Sequence, residues 1–258
     1  MARIVAIANQ KGGVGKTTTS VNLAAAIAIQ GKKTLLIDLD PQGNATSGVG
    51  IDPRSLTKTV YNVLIKQDKY KDALHETTVS GLYLLPANAN LAGAEIELAT
   101  VEGRERFLCD ALNDTGSQFD VMLLDCPPAL GILTINALTA AKSVLIPVQC
   151  EYYAMEGLSR LIDSIERVKQ SVNPGLAIEG IVLTMFDARN TLARQVSEQV
   201  RNHFGEKVYQ TVIPRNVALA EAPSYGRPGI LYNVGASGSQ AYISLAKEFL
   251  EHGEKSAR

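Results

Sequence analysis

The apolar run Ile4-Val5-Ala6-Ile7-Ala8 leads into Lys11-Gly12-Gly13-Val14-Gly15-Lys16-Thr17-Thr18, and a helical pattern follows. Strand, glycine-rich turn and helix in that order commit the chain to an α/β arrangement built to hold an anion. The three glycines let the backbone turn several N–H groups toward one point, and the helix adds its positive dipole end there. Gly12, Gly13, Val14 and Gly15 supply backbone donors. Lys16 is placed to lie along phosphates, and the Thr17 hydroxyl to ligate Mg²⁺. The usual G-x-x-x-x-G-K-[ST] spacing asks for a glycine at position 10, where this chain has Gln10, and a second lysine, Lys11, stands beside it. Two lysines exceed what one triphosphate needs from one subunit. Lys11 is thus either an ordinary surface lysine or a group that serves phosphates elsewhere.

Further strand-like runs follow at Thr34–Asp38, Leu82–Pro86, Val121–Asp125, Ser143–Pro147 and Ile178–Met185, with a short edge strand expected at Val208–Val212. They are apolar on both faces, as strands of a covered parallel sheet are. Helical patterns lie between them at Thr17–Gln30, Leu91–Asn113, Thr134–Ala141, Glu156–Val172, Leu192–Phe204 and Ser239–Glu251. Repeated β-α-β units predict a mostly parallel twisted sheet with helices on both faces, of the P-loop NTPase type. No linker or repeat divides residues 1–258, so one domain is expected. At 46% hydrophobic and 20% charged residues, the chain can bury a large core. Its net charge of −1 carries no global basic field, so a polyanion would need a local patch. Cys109, Cys126 and Cys150 form no C-x-x-C pair, and buried thiols in a reducing cytoplasm are the expectation.

Two strands deliver aspartates to the edge where such sheets bind ligands. Asp38-Leu39-Asp40-Pro41-Gln42-Gly43-Asn44 closes one, and Asp125-Cys126-Pro127-Pro128 closes another. Asp125 suits Mg²⁺ held through water. Asp38 ends the apolar run, and Asp40 lies further out, beside Pro41. Asp40 is the better placed to position an attacking water, and a turn-forming or capping role is weighed for Asp38. No residue reads as an intrinsic arginine finger, so hydrolysis without a partner should be slow.

The stretches Lys11–Thr18, Asp38–Asn44 and Asp125–Pro128 resemble the ParA/Soj family of chromosome- and plasmid-partitioning ATPases with a deviant Walker A loop, nearest the chromosomal Soj branch. Leu91–Leu98, Ile146–Tyr153, Val212–Asn216 and Glu221–Ser224 extend the likeness over nearly the whole chain. The resemblance implies a Mg²⁺-dependent ATPase that sandwiches ATP between two subunits. In that arrangement Lys11 crosses to the partner's phosphates, while Lys16, Thr17 and Thr18 serve their own. Pro214 and Asn216 lie where the family contacts adenine. It also implies that the ATP homodimer binds double-stranded DNA without sequence preference and is nucleoid-associated. A ParB-type centromere-binding protein then stimulates hydrolysis, and the replication initiator is a further partner in some members. For the DNA face, Arg189, Arg194 and Arg201 follow the strand ending at Met185. An Arg194–Glu198 pair on a solvated helix is the competing reading. The likeness departs at Ala218, where relatives carry a basic residue.

Two other classes share the deviant loop. A MinD-like membrane-cycling ATPase needs a basic amphipathic C-terminal helix, but Lys247–Arg258 balances acidic against basic residues, so no membrane binding is expected. A nucleotide-gated scaffold that does not hydrolyse ATP, for example one acting on replication initiation, would have no use for Asp40.

Overall fold

The computed structural model describes residues 2–113, 115 and 117–256. In chain order the elements are β1 (Arg3–Ile7), α1 (Lys16–Ile29), β2 (Thr34–Asp38), α2 (Asn44–Gly48), α3 (Val60–Leu64), β3 (His75–Glu76), β4 (Leu82–Leu85), α4 (Leu91–Glu97), α5 (Phe107–Asn113) and β5 (Val121–Asp125). They continue with α6 (Ile132–Ala140), β6 (Ser143–Gln149), α7 (Ala154–Ser171), β7 (Ala177–Thr184), α8 (Thr191–Phe204), α9 (Val217–Glu221), α10 (Gly229–Tyr232) and α11 (Ser237–Ser256). The strands form one sheet in the order β3-β4-β2-β5-β1-β6-β7. All neighbours pair in parallel except β3 with β4. The expected mostly parallel sheet with helices on both faces is therefore the observed one.

Side-chain alternation along the strands sorts the core into two layers. Val5, Ile7, Leu36, Leu123, Leu145 and Val182 face α1 and α11, with Leu23, Ile27, Leu245 and Phe249 packed on them. Ala6, Ala8, Leu35, Ile37, Leu124, Ile146 and Leu183 face the opposite layer, where Leu91, Leu108, Leu138, Leu161 and Val200 lie. Each fully buried Leu or Ile adds about 1.5–3 kcal/mol of burial free energy, which holds both layers onto the sheet. α1 is hemmed in nearly all round and is built of Ala, Ile and small polar residues. α7 and α8 carry one apolar stripe each.

Two expectations need correction. The helix expected over Leu91–Asn113 is two helices, α4 and α5, separated at Ala99–Gly103 and by a 3₁₀ turn at Arg104–Arg106. The edge strand expected at Val208–Val212 is only a single bridge, Ile181 to Val208. The sheet's opposite edge instead carries the two-residue antiparallel β3, which periodicity does not mark. The balanced charge of the C-terminal tail falls partly on Glu254–Arg258, whose side chains lie outside the described residues. No helix among the described residues is long and apolar enough to cross a membrane.

Candidate nucleotide site

The loop after β1 is fastened at both ends. Asn9 Nδ2 donates to the Pro147 carbonyl (2.8 Å), and its Oδ1 accepts from the Lys11 N–H (3.0 Å). Thr184, ending β7, donates its hydroxyl to the Val14 carbonyl (2.8 Å). Between these anchors Gly13 (φ 73°) and Gly15 (φ 88°) adopt left-handed conformations that glycine tolerates without strain. A side chain built at Gly12 or Gly13 would meet nothing within 4 Å, so the loop presents an open cradle. Gly15 starts α1 with no side-chain cap, leaving that helix's first N–H groups for a ligand. Lys16, buried, donates from Nζ to the Lys11 carbonyl (3.1 Å). Burial lowers its pKa, against the pull of Asp125, Cys126 and Asp40.

The two strand-end carboxylates are register neighbours, Asp38 on β2 beside Asp125 on β5. Asp125 Oδ1 accepts from the Ser20 hydroxyl (2.7 Å), one helical turn beyond Lys16, while Oδ2 is buried with no hydrogen-bond partner. Burial pushes the Asp125 carboxyl well up, and the charge of Asp38 adds to the rise. The Ser20 and Thr17 hydroxyls act the other way. An orphaned buried carboxylate oxygen beside Thr17 and Lys16 fits a Mg²⁺ ion carried in with phosphates, because Mg²⁺ keeps waters and takes few protein ligands. Among the described residues no cluster of three or more His, Cys, Asp or Glu forms a cage of its own.

Asp38 is fully buried and turns inward. It accepts from the Thr46 N–H (2.8 Å), the Thr46 hydroxyl (2.8 Å) and the Asp40 N–H (3.1 Å). Thr46 Oγ1 in turn accepts from the Ala87 N–H (3.0 Å). Asp38 thus shapes the segment that carries Asp40, as the turn-forming reading had it. Asp40 Oδ1 accepts only from the Gln42 N–H (2.9 Å) among the described contacts, and the residue lines the cavity over the loop.

That cavity, of about 410 Å³, gathers Gly13, Gly15, Lys16, Thr17, Thr18 and Asp40 with Pro128 at one side. Ile213, Pro214, Arg215, Asn216, Leu219 and Ala220 line it elsewhere, together with Thr184, Met185 and Tyr242. Asn216 caps α9 by accepting from the Leu219 N–H (3.3 Å), and its Nδ2 donates to Ser237 (3.0 Å). Lys11, Gly12 and Val14 do not line the cavity. The Lys11 amine points away and pairs with Glu151 Oε2 (2.6 Å), at 39% side-chain exposure. Glu151 Oε1 is held by Gln149 Nε2 (2.5 Å). Beside it Tyr152 and Tyr153, 74% and 65% exposed, pack edge to face.

The three arginines proposed for DNA are not in the cavity. Arg189 grips Asp187 (2.9 and 3.0 Å), Arg194 donates to Thr191 Oγ1 (3.2 Å) rather than pairing with Glu198, and Arg201 donates to the Gln210 carbonyl (3.3 Å). Sequence reasoning missed Asn9, Ser20, Thr184, Met185, Tyr242 and Glu151. Ser20 was within reach of it, because four residues after Lys16 places it on the same helix face. Asn9 adjoins the loop and Glu151 lies in the Ile146–Tyr153 stretch, but no spacing marks their roles, and Thr184, Met185 and Tyr242 come from distant segments.

A family model described as an AAA domain matches residues 2–178. The sporulation initiation inhibitor protein Soj of Bacillus subtilis is 54% identical over 253 residues, covering 98% of this chain and all of that one. The chromosome partitioning protein ParA of Caulobacter vibrioides is 51% identical, covering 96% and 94%. Among solved structures, a Mycobacterium smegmatis protein named cobyrinic acid a,c-diamide synthase, with bound ADP and magnesium, superposes with a TM-score of 0.87. It is 40% identical, over 100% of this chain and 97% of its own. With a phosphate cradle, paired strand-end aspartates and full-length likeness of this degree, the chain belongs to the Soj/ParA family of chromosome-partitioning proteins.

Proposed function

We propose that this protein, acting as one ATPase domain over residues 1–258, binds Mg²⁺-ATP in the cavity above Gly13–Thr18, dimerises around it and hydrolyses it slowly. The observation that carries this reading is the split between the two loop lysines. Lys16 is buried in its own cavity, while the Lys11 amine lies outside it on an exposed face beside Tyr152 and Tyr153. A cation held there suits a partner's phosphates. Mg²⁺, when bound, neutralises phosphate charge. Thr17 and the free Asp125 oxygen hold it directly or through water, and Lys16 and Thr18 hold phosphate oxygens. Asp40 orients the attacking water at the cavity mouth, and Pro214 and Asn216 border the adenine. The names of the relatives support a role in moving chromosome origins. The ATP dimer then binds DNA non-specifically through the Arg189, Arg194 and Arg201 face, sits on the nucleoid, and is stimulated by a ParB-type partner.

The test is light scattering after gel filtration without nucleotide, with ADP and with ATP, for the parental protein and for Lys11→Ala. Dimer only with ATP, lost in Lys11→Ala with ATP binding kept, is expected. An ATP dimer unaffected by that substitution would remove the cross-subunit lysine. Co-sedimentation with anionic liposomes in ATP would favour the membrane-cycling reading instead, and none is expected.

A further inference from the structure

A second groove, of about 690 Å³, lies outside the nucleotide cavity, between α4, α6 and α7. Leu130, Ile132, Ile135 and Val168 give it an apolar lining. α4 adds Glu95, the 3₁₀ turn after it adds Glu105, and α7 adds Arg167. None of these three charged side chains makes a hydrogen bond or ion pair among the described contacts. The remaining charge in the lining, Arg104, donates to the Leu98 carbonyl (3.4 Å). The apolar surface continues onto α4, where Ile96 is 80% exposed between Glu95 and Glu97, and Val101 follows. Exposed apolar side chains beside a concave apolar lining, rimmed by polar groups, mark a surface that a partner covers.

Charge selects the partner. From α4 through the 3₁₀ turn four carboxylates, Glu95, Glu97, Glu102 and Glu105, outnumber two cations, Arg104 and Arg106, and negative charge still prevails with Arg167 counted. The groove also touches both loops of the nucleotide site. Leu130 and Gly131 continue the segment that starts at Asp125 and passes Pro128 at the cavity. A side chain at Gly131 would overlap the Glu95 carboxylate, which therefore sits at the uncapped, positive start of α6. Ser164, on the α7 side, accepts from Gln10 Nε2 (2.9 Å), next to Lys11.

We propose that the groove between α4, α6 and α7 docks a short apolar and basic segment of another protein. Its apolar side chains cover Leu130, Ile132 and Ile135, and its cations meet Glu95 and Glu105. A cation that draws Glu95 from Gly131 acts on the loop carrying Asp125, so docking and ATP binding are coupled. The coupling rests on the nucleotide reading above, whereas docking itself does not.

The probe is a labelled synthetic peptide of about eight residues alternating Leu and Lys, titrated by fluorescence anisotropy against the full chain, with a Leu–Glu peptide as control. Glu95→Lys and Glu105→Lys are each expected to weaken binding of the Leu–Lys peptide about 5-fold or more, while Glu206→Lys, the same charge change at a distant exposed site, leaves it within about 2-fold. Melting curves check folding, and Glu105→Lys, away from Gly131, carries the test alone if Glu95→Lys is unstable. In the parent, ATP should change the peptide's affinity about 3-fold or more. An equal loss in Glu206→Lys makes the binding a general charge effect and overturns the proposal. So do a Leu–Glu peptide that binds as tightly and the lack of saturable Leu–Lys binding up to about 1 mM. Equal affinity with and without ATP, in a parent that binds ATP, overturns the coupling. A parent that does not bind ATP removes the nucleotide reading instead, and the titrations without nucleotide still judge the groove.

Discussion

Lys16 enters the cavity from the first turn of α1 with a carbonyl oxygen as its hydrogen-bond partner among the described contacts and Asp125 and Asp40 as charges near it, leaving its other N–H donors for phosphates. Losing two charge-assisted hydrogen bonds of about 1.5–3 kcal/mol each should make Lys16→Ala bind ATP about 100-fold or more weakly, as titration calorimetry would show. Asp40→Ala should keep ATP affinity but slow single-turnover hydrolysis about 100-fold or more and accumulate dimer; hydrolysis at the parental rate would remove Asp40 from its role. Asp125 makes a pH statement. Burial raises its carboxyl pKa above that of the unfolded chain, so its contribution to stability is full below the ordinary carboxylate range. That contribution is lost as pH rises above the ordinary carboxylate range through the raised folded value. Nucleotide-free protein should therefore lose stability from mildly acid to mildly alkaline pH, and Asp125→Asn should flatten that slope in denaturant titrations. The roles proposed for Lys16, Thr17 and Asp125 were legible in the sequence because motif spacing and strand ends fix where they point. A turn-forming role for Asp38 could be weighed from sequence, but its partners could not, because Thr46 and through it Ala87 are brought there only by the turn it organises.

At the scale of elements, strands were easier to read than helices. A strand buried on both faces leaves an unbroken apolar run, as in Val121–Asp125 and Thr34–Asp38. The Leu91–Asn113 stretch kept a helical pattern although Gly103 turns left-handed within it (φ 71°), a break decided by packing against α6, where Asn136 accepts the Leu108 N–H (3.0 Å). β3 has two residues, too few for any periodicity. Short α2 links the nucleotide end to the α9–α10 region through a backbone contact. A Cβ on Gly50 (φ 91°) would stand 2.8 Å from the Gly226 carbonyl oxygen, and one on Gly226 (φ 61°) 2.9 Å from Gly50 Cα. Gly50→Ala should thus cost about 1–2 kcal/mol for the left-handed backbone alone, and more for the overlap. A denaturation midpoint equal to the parent's would show that the two segments part easily.

At the scale of the molecule, the proposed DNA face can be tested by salt: if the ATP form is a dimer that meets phosphates through Arg189, Arg194 and Arg201 of each protomer, those six cations set its salt dependence. Six phosphate contacts imply that retention on a short duplex, measured with ATP, falls about 1,000-fold between about 50 and 200 mM salt. Unchanged retention over that range would contradict a phosphate-reading surface. β1 lies between β5 and β6, and the cavity is lined by residues from Gly13 to Tyr242. The cradle is thus made before the strands that flank it and the segments that roof it. A nascent chain stalled before its last third carries the glycine loop but neither Pro214, Asn216 nor Tyr242 to close over it. Unfinished copies should therefore compete poorly for nucleotide and stay inert during synthesis.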